Sequence, residues 1–389
     1  MSWLKGTPQR SVIRIGWLAL VVLILAAPVQ AADVYKIGGI FSVTGPASFL
    51  GDPEKRSLEM AIEDINAAGG IDGRQLEAVI YDTEADPQKA VSGINKLINK
   101  DQVLAIIGPS TTPATLAVKS FAERARIPLI SCAAGIAITE PVTPWTFKTA
   151  QNDVLAVAAI YTHIQKHQQG IHKIALLTVA NAFGESGKQQ LERQAGAYGL
   201  QIVAAESFGG KDTDMTAQLT KIRSAGPDAI VCWGTNPGPA VVSKNVKQLE
   251  IKLPLYQSHG VASPKFIELA GDAAEGIYLP TGKILVAGLL PAEDPQKAVL
   301  NEYIDRYNKK YNMQVSGFGG YAYDAMQLLA KAMAGAGGDR QKIRDNLEKI
   351  RNHAGVSGVF NFTDKDHNGL GPEAFVMVRI ANGTWQLEK

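Results

Sequence analysis

The chain is 389 residues long, with 39 Lys plus Arg against 37 Asp plus Glu and a formal net charge of +2. That balance leaves no basic excess of the kind a nucleic acid or an anionic membrane surface selects. Six scattered histidines and two distant cysteines, Cys132 and Cys232, match no zinc spacing. The length suits two domains of ordinary size.

At the N-terminus, Lys5, Arg10 and Arg14 precede the apolar run 18–27, and Val29-Gln30-Ala31 is a small-residue cleavage pattern. Residues 1–31 therefore read as a secretory signal peptide. The apolar core is shorter than the ~20 residues of a membrane span. No cysteine follows the cleavage position, which argues against a lipid anchor. Cleavage removes three basic and no acidic residues, so the mature chain is close to neutral.

From Tyr35 onward strand and helix patterns alternate, the signature of parallel sheets flanked by helices. A strand is expected over 35–41. A helix over 57–68 carries Leu58, Ala61, Ile62 and Ile65 on one face and stops at Gly69-Gly70. A strand over 76–81 follows, then a helix opened by Asp86 and Pro87, a strand over 103–107 and another over 128–131. After a connecting helix over 152–166 the pattern repeats, with strands at 174–179, 201–207 and 229–233 and helices at 184–198 and 215–225. Helices over 300–311 and 321–334 are separated by a Gly-rich break at 317–320. Segments 356–362 and 375–380 read as paired strands around a polar turn. Cys132 and Cys232 each end an apolar strand-like run and read as buried thiols.

The most chemically pointed stretch is Ile107-Gly108-Pro109-Ser110-Thr111-Thr112-Pro113, a strand end running into a hydroxyl-rich loop and a helix start. Thr112 before Pro113 reads as an N-cap followed by the first helical position. Such a turn offers free backbone N–H groups and the positive end of the helix dipole to an anion. No Gly-Lys-Ser/Thr pattern accompanies it, so a small carboxylate fits better than a phosphate. The plainer alternative is that Ser110, Thr111 and Thr112 only cap the helix.

Catalytic patterns are weak. Gly184-Glu185-Ser186-Gly187 lacks the spacing of a nucleophile elbow and reads as a helix start. No Gly-x-Gly-x-x-Gly follows the first strand. Asp364-x-Asp366-x-Asn368-Gly369 begins like a calcium loop, but the twelfth position is Phe375, so a solvated turn is the better reading. The chain reads as a non-enzyme with neither metal nor cofactor.

Several segments in order resemble the periplasmic substrate-binding proteins of branched-chain amino-acid ABC transporters, the leucine/isoleucine/valine-binding group. These are Thr44-Gly45-Pro46, the run 61–73 from Ala61 to Gly73, Ile107-Gly108-Pro109-Ser110, the runs 217–222 and 226–229, and Tyr323-Asp324-Ala325. The resemblance implies an α/β type I periplasmic-binding fold, two doubly wound parallel-sheet lobes joined by a hinge of three crossovers. On that reading residues 32–150 plus 281–355 form lobe 1 and residues 151–280 plus 356–389 lobe 2. It implies a periplasmic monomer that captures a small molecule between its lobes and delivers it to the membrane permease of an ABC importer. A ligand-sensing module for a signalling partner is the competing class.

Carried across loop by loop, the resemblance places a carboxylate on Ser110, Thr111 and Thr112, with a second contact from Ala133 to Gly135. It places apolar walls at Phe49, Leu50, Phe183 and Phe318. Amino-acid binders of the group hold the ligand ammonium with an acidic side chain from the far lobe, where this chain has His259, assisted by Asn236. Segment 360–370 resembles the subgroup that takes up aromatic or other hydrophobic carboxylates. The sequence therefore favours a hydrophobic or aromatic carboxylate as ligand, with a branched-chain amino acid as the alternative.

Overall fold

The structure is a computed structural model that describes residues 34–388 together with Met1, Trp3, Gly6 and Thr7. The apolar core and cleavage pattern of the expected signal peptide lie outside the described residues. Among the described residues no helix is long and apolar enough to cross a membrane.

The first sheet contains β1 (Tyr35–Phe41), β2 (Leu76–Asp82), β3 (Ala105–Ile107), β4 (Leu129–Ser131) and β5 (Thr146–Lys148) in the order β2-β1-β3-β4-β5. All its pairings are parallel. Helices α1 (Ser48–Ala67), α2 (Pro87–Lys96) and α3 (Thr112–Ala125) connect the strands. Asp86 opens α2 as expected, accepting the N–H of Gln88 at 2.7 Å, with Pro87 at the first helical position.

The chain then crosses to the second lobe through α4 (Asp153–His167). There β6 (Lys173–Val179), α5 (Ala182–Ala195), β7 (Gln201–Phe208), α6 (Thr216–Ser224), β8 (Ala229–Trp233), α7 (Gly238–Gln248), β9 (Leu255–Gln257), α8 (Pro264–Ala270) and β10 (Tyr278–Thr281) follow in order. The parallel part of this sheet runs β7-β6-β8-β9-β10, which repeats the strand order of the first.

Helices α9 (Lys297–Tyr311), α10 (Gly317–Met333) and α11 (Arg340–Leu347) return to the first lobe. There Leu300, Met326 and Leu347 share one core with Ile37 of β1 and Leu58 of α1. Val356, Phe360 and Phe362 belong to that core as well. Cys132 lies in this core and Cys232 in the second lobe's, both buried and free.

Three elements differ from the sequence reading. Helix α1 begins at Ser48 and passes through Pro53. Gly51 lets it lie against the end of β1, where a Cβ would fall 2.2 Å from the Ser42 carbonyl carbon. Helix α10 begins at Gly317, so the expected break at 317–320 is helical. Its glycines serve close packing: a Cβ on Gly319 would sit 2.4 Å from Tyr303 Oη, and one on Gly320 2.5 Å from Val356 Cγ1. Segments 356–362 and 375–380 do not pair with each other. β12 (Val359–Phe360) pairs with β11 (His353–Ala354), while β13 (Val376–Ala381) adds antiparallel to β10 and carries β14 (Thr384–Leu387) at the edge. The calcium-like segment is a turn in which Asp366 Oδ1 accepts the N–H groups of Asn368 and Gly369, both at 2.9 Å.

Candidate functional site

In open parallel sheets of this strand order, ligands bind beyond the carboxyl ends of the strands where the winding reverses. A cavity of about 260 Å³ lies there, lined by the segments that follow β1, β3 and β4 on one side and β6, β8 and β9 on the other. The volume falls below the ~300 Å³ at which drug-sized pockets begin, so the cavity suits a small ligand.

The first wall is the start of α3. Its N-cap is Thr111, one residue earlier than the sequence indicates: the Thr111 backbone is extended and its Oγ1 accepts the N–H of Ala114 at 3.4 Å. Thr112 is thereby freed from capping. Its Oγ1 accepts the N–H of Gly135 at 3.1 Å, which leaves its own proton for a ligand. Ser110, buried, accepts the N–H of Ser42 at 3.0 Å and is hydrogen-bonded to the carboxyl of Glu54. In the loop after β4, the Ala133 N–H goes to Ser131 Oγ at 3.1 Å and the Gly135 N–H to Thr112. Ala134 lines the cavity, and its amide is the one in that loop without an acceptor among the described residues.

The far wall carries His259 and Asn236, both buried and both lining the cavity. His259 stands edge-on to Phe183, Trp233 and Phe375, with ring centroids 5.7, 5.7 and 5.3 Å away. The turn that holds it is fixed by Ser258, whose hydroxyl accepts the N–H of Gly260 at 3.2 Å and donates to the Gly234 carbonyl at 2.8 Å. Neither ring nitrogen of His259 has a partner among the described residues, and neither does either polar atom of the Asn236 amide. Buried polar atoms without partners are costly, and these four belong to two residues that line one cavity, which marks its far wall as the place of a polar ligand group. Burial, reinforced by the charge of Lys148, pushes His259 down to about 3, so the ring is neutral at physiological pH and can accept as well as donate.

Of the residues singled out in the sequence, Ser110, Thr111, Thr112, Ala133, Leu50, Phe183, Asn236, His259 and Phe318 line this cavity. Phe49 and Gly135 do not. Phe49 stands behind Phe318, edge-on at 5.6 Å, and faces a separate groove with Asp52 and Arg56. Gly135 packs on Thr112 so closely that a Cβ would lie 2.5 Å from Thr112 Cγ2.

Tyr321, Glu54 and Lys148 are parts of the site the sequence reading missed. Tyr321 lies three residues after Phe318 on one face of α10, a spacing that points to it once the helix start is known. Lys148 ends β5, fully buried, and its Nζ donates to the carbonyls of Ala134 and Gly135. Burial draws Lys148 down to about 7 and lifts Asp153 to about 6, while each favours the charged form of the other. The two lobes also touch beside the cavity, where the N–H of Ile136 meets Asp153 Oδ2 at 3.2 Å and Ser186 Oγ at 3.3 Å.

Comparison with known proteins agrees with this architecture. A family model described as periplasmic binding protein matches residues 34–384. The chain belongs to the periplasmic binding protein family. It is 29% identical over 349 residues to the leucine-, isoleucine-, valine-, threonine- and alanine-binding protein of Pseudomonas aeruginosa, covering 88% of this chain and 89% of that one. The crystal structure of an extracellular ligand-binding receptor from Rhodopseudomonas palustris HaA2 superposes with a TM-score of 0.86 at 28% identity, over 92% of this chain and 100% of the other. The branched-chain amino acid transporter substrate binding protein LivJ from Streptococcus pneumoniae, in complex with isoleucine, gives 0.81 at 30% identity over 91% and 98%. This periplasmic binding protein thus has the bilobed type I fold and is related to the leucine/isoleucine/valine-binding group. The family binds solutes for ABC importers without catalysis. Among the described residues no group of His, Cys, Asp and Glu is arranged to hold a metal.

Proposed function

We propose that this binding protein captures a branched-chain L-amino acid and presents it to an importer permease. The observation that carries the reading is the pairing of the α3 start with the unpartnered His259 and Asn236 across one small, mostly apolar cavity. The ligand carboxylate is assigned to the Ser110 hydroxyl and to the hydroxyl and backbone N–H of Thr112, since Pro113 has no N–H and that of Ala114 is taken by the Thr111 cap. The aliphatic side chain lies against Leu50, Val179, Phe183 and Phe318. Neutral His259 accepts one ammonium proton and Asn236 Oδ1 another, which replaces the acidic side chain expected for such ligands.

The relatives named for leucine, isoleucine and valine favour this ligand over the aromatic carboxylate that the sequence put first. One observation favours a hydrophobic carboxylate as second reading: no carboxylate from the far lobe lines the cavity to neutralise an ammonium.

A thermal-shift series separates the two, since a ligand stabilises by RT ln(1 + [L]/Kd). L-Leucine, L-isoleucine and L-valine are expected to raise the melting temperature, and 4-methylpentanoate, which lacks only the amine, to do so far less. A larger shift with 4-methylpentanoate or 3-phenylpropanoate reverses the assignment.

A further inference from the structure

We infer that Glu54 carries a proton when ligand is bound and donates it to Ser110, so that the Ser110 hydroxyl proton turns toward the ligand carboxylate. The inference rests on the reading that Ser110 helps to hold that carboxylate.

A serine hydroxyl has one proton and two lone pairs. At Ser110 the N–H of Ser42 occupies one lone pair at 3.0 Å, and the Ser42 hydroxyl is itself engaged with Thr83 at 2.9 Å. Glu54 takes the next position. If Glu54 is ionised, the only proton on Ser110 must point at it, and Ser110 meets the ligand with nothing to donate. Two carboxylates would then flank one hydroxyl. If Glu54 is protonated, its O–H fills the second lone pair and the Ser110 proton is released to the cavity.

The surroundings favour the second arrangement. Glu54 lies on α1 fully buried, with Ser110 as its one hydrogen-bond partner and Oε1 unpartnered among the described residues. The titratable groups facing it are the Cys132 thiol after β4 and Tyr321 on α10, with Asp324 one turn further along. None is a cation, and no Lys or Arg pairs with Glu54 among the described residues. The Tyr321 hydroxyl donates to Gln151 Oε1 at 2.9 Å, so its proton is not offered to Glu54. Burial lifts the Glu54 carboxyl well above its usual range. Binding an anion alongside adds to that shift.

Glu54 is thus a positioning residue for the ligand, acting through Ser110. Among the described residues it is the one fully buried glutamate, which makes it separable by isotope. The test is infrared spectroscopy of the L-leucine complex, with wild-type protein labelled with ¹³C-glutamate in its side-chain carboxyls and with Glu54→Gln, beside calorimetry of Glu54→Gln and Ser110→Ala. The expected spectrum contains a protonated-carboxyl stretch that shifts with glutamate labelling and is missing in Glu54→Gln. Glu54→Gln, whose amide N–H donates in the same direction, is expected to bind within about threefold of wild type, while Ser110→Ala loses about tenfold or more. If Ser110→Ala loses affinity but no labelled protonated carboxyl is found, the inference falls while the carboxylate reading stands. If Ser110→Ala binds L-leucine unchanged, the carboxylate reading falls and takes the inference with it. The labelled wild-type spectrum gives its answer even if a variant does not fold.

Discussion

His259 is held neutral by its surroundings: it is buried with three aromatic rings edge-on to it, and the positive charge of Lys148 disfavours its protonation further. The consequence for stability has a definite sign. Its pKa in the folded chain, about 3, lies below the ordinary 6.5, so unfolding is accompanied by proton uptake once the pH drops below 6.5. The stability tied to a neutral His259 is present above pH 6.5 and is lost as the pH falls toward 3. Denaturant titrations at pH 7 and pH 4 should show wild type losing about 3 kcal/mol more than His259→Gln over that interval. For the ligand, Thr112→Ala removes a donor aimed at the carboxylate and should weaken L-leucine binding about tenfold or more by calorimetry. His259 was legible in the sequence through the family resemblance, because it stands where the group's amino-acid binders carry an acidic side chain. Glu54 was not, because within Asp52-Pro53-Glu54-Lys55-Arg56 it looks like one more surface charge, and only the packing of α1 shows it to be interior.

At the scale of elements, α3 and α10 build the first lobe's side of the site, and both begin where the sequence misplaces them. Thr111 and Thr112 are equally good caps by composition; the extended backbone at Thr111 decides between them and leaves Thr112 to face the cavity. Thr111→Ala should therefore lower stability by about 1 kcal/mol in thermal or denaturant unfolding. In α10, glycines read locally as a break, yet they are helical because α1 and α9 approach too closely for a side chain. Gly319→Ala would press on both Tyr303 Oη and Ser57 Oγ, which are hydrogen-bonded to each other at 2.8 Å. A loss of about 1–3 kcal/mol is expected from that overpacking, read as a lower denaturation midpoint. Such glycines are not legible without knowing which helices meet.

For the whole molecule, the alternation of strands and helices was enough to read two α/β lobes with ligand loops at their strand ends. The pairing of the C-terminal strands was not, because β13 finds its partner in β10, almost a hundred residues away in sequence, and local pattern carries no record of that. The lobes are stitched where the chain crosses between them. Gln151 Nε2 donates to the carbonyls of Ser357 at 2.7 Å and Ala374 at 3.3 Å, and its Oε1 accepts from Tyr321 in the cavity wall. A residue that joins two crossovers and the site should couple binding to closure. Gln151→Ala should accordingly bind L-leucine more weakly and show a smaller ligand-induced contraction in small-angle scattering than wild type.

The account is tested most directly by a crystal structure of the protein grown with L-leucine. It predicts the ligand carboxylate within hydrogen-bond distance of Thr112 Oγ1 and Ser110 Oγ, and the ammonium facing His259 and Asn236. A ligand bound in the reverse orientation, or outside this cavity, would contradict it.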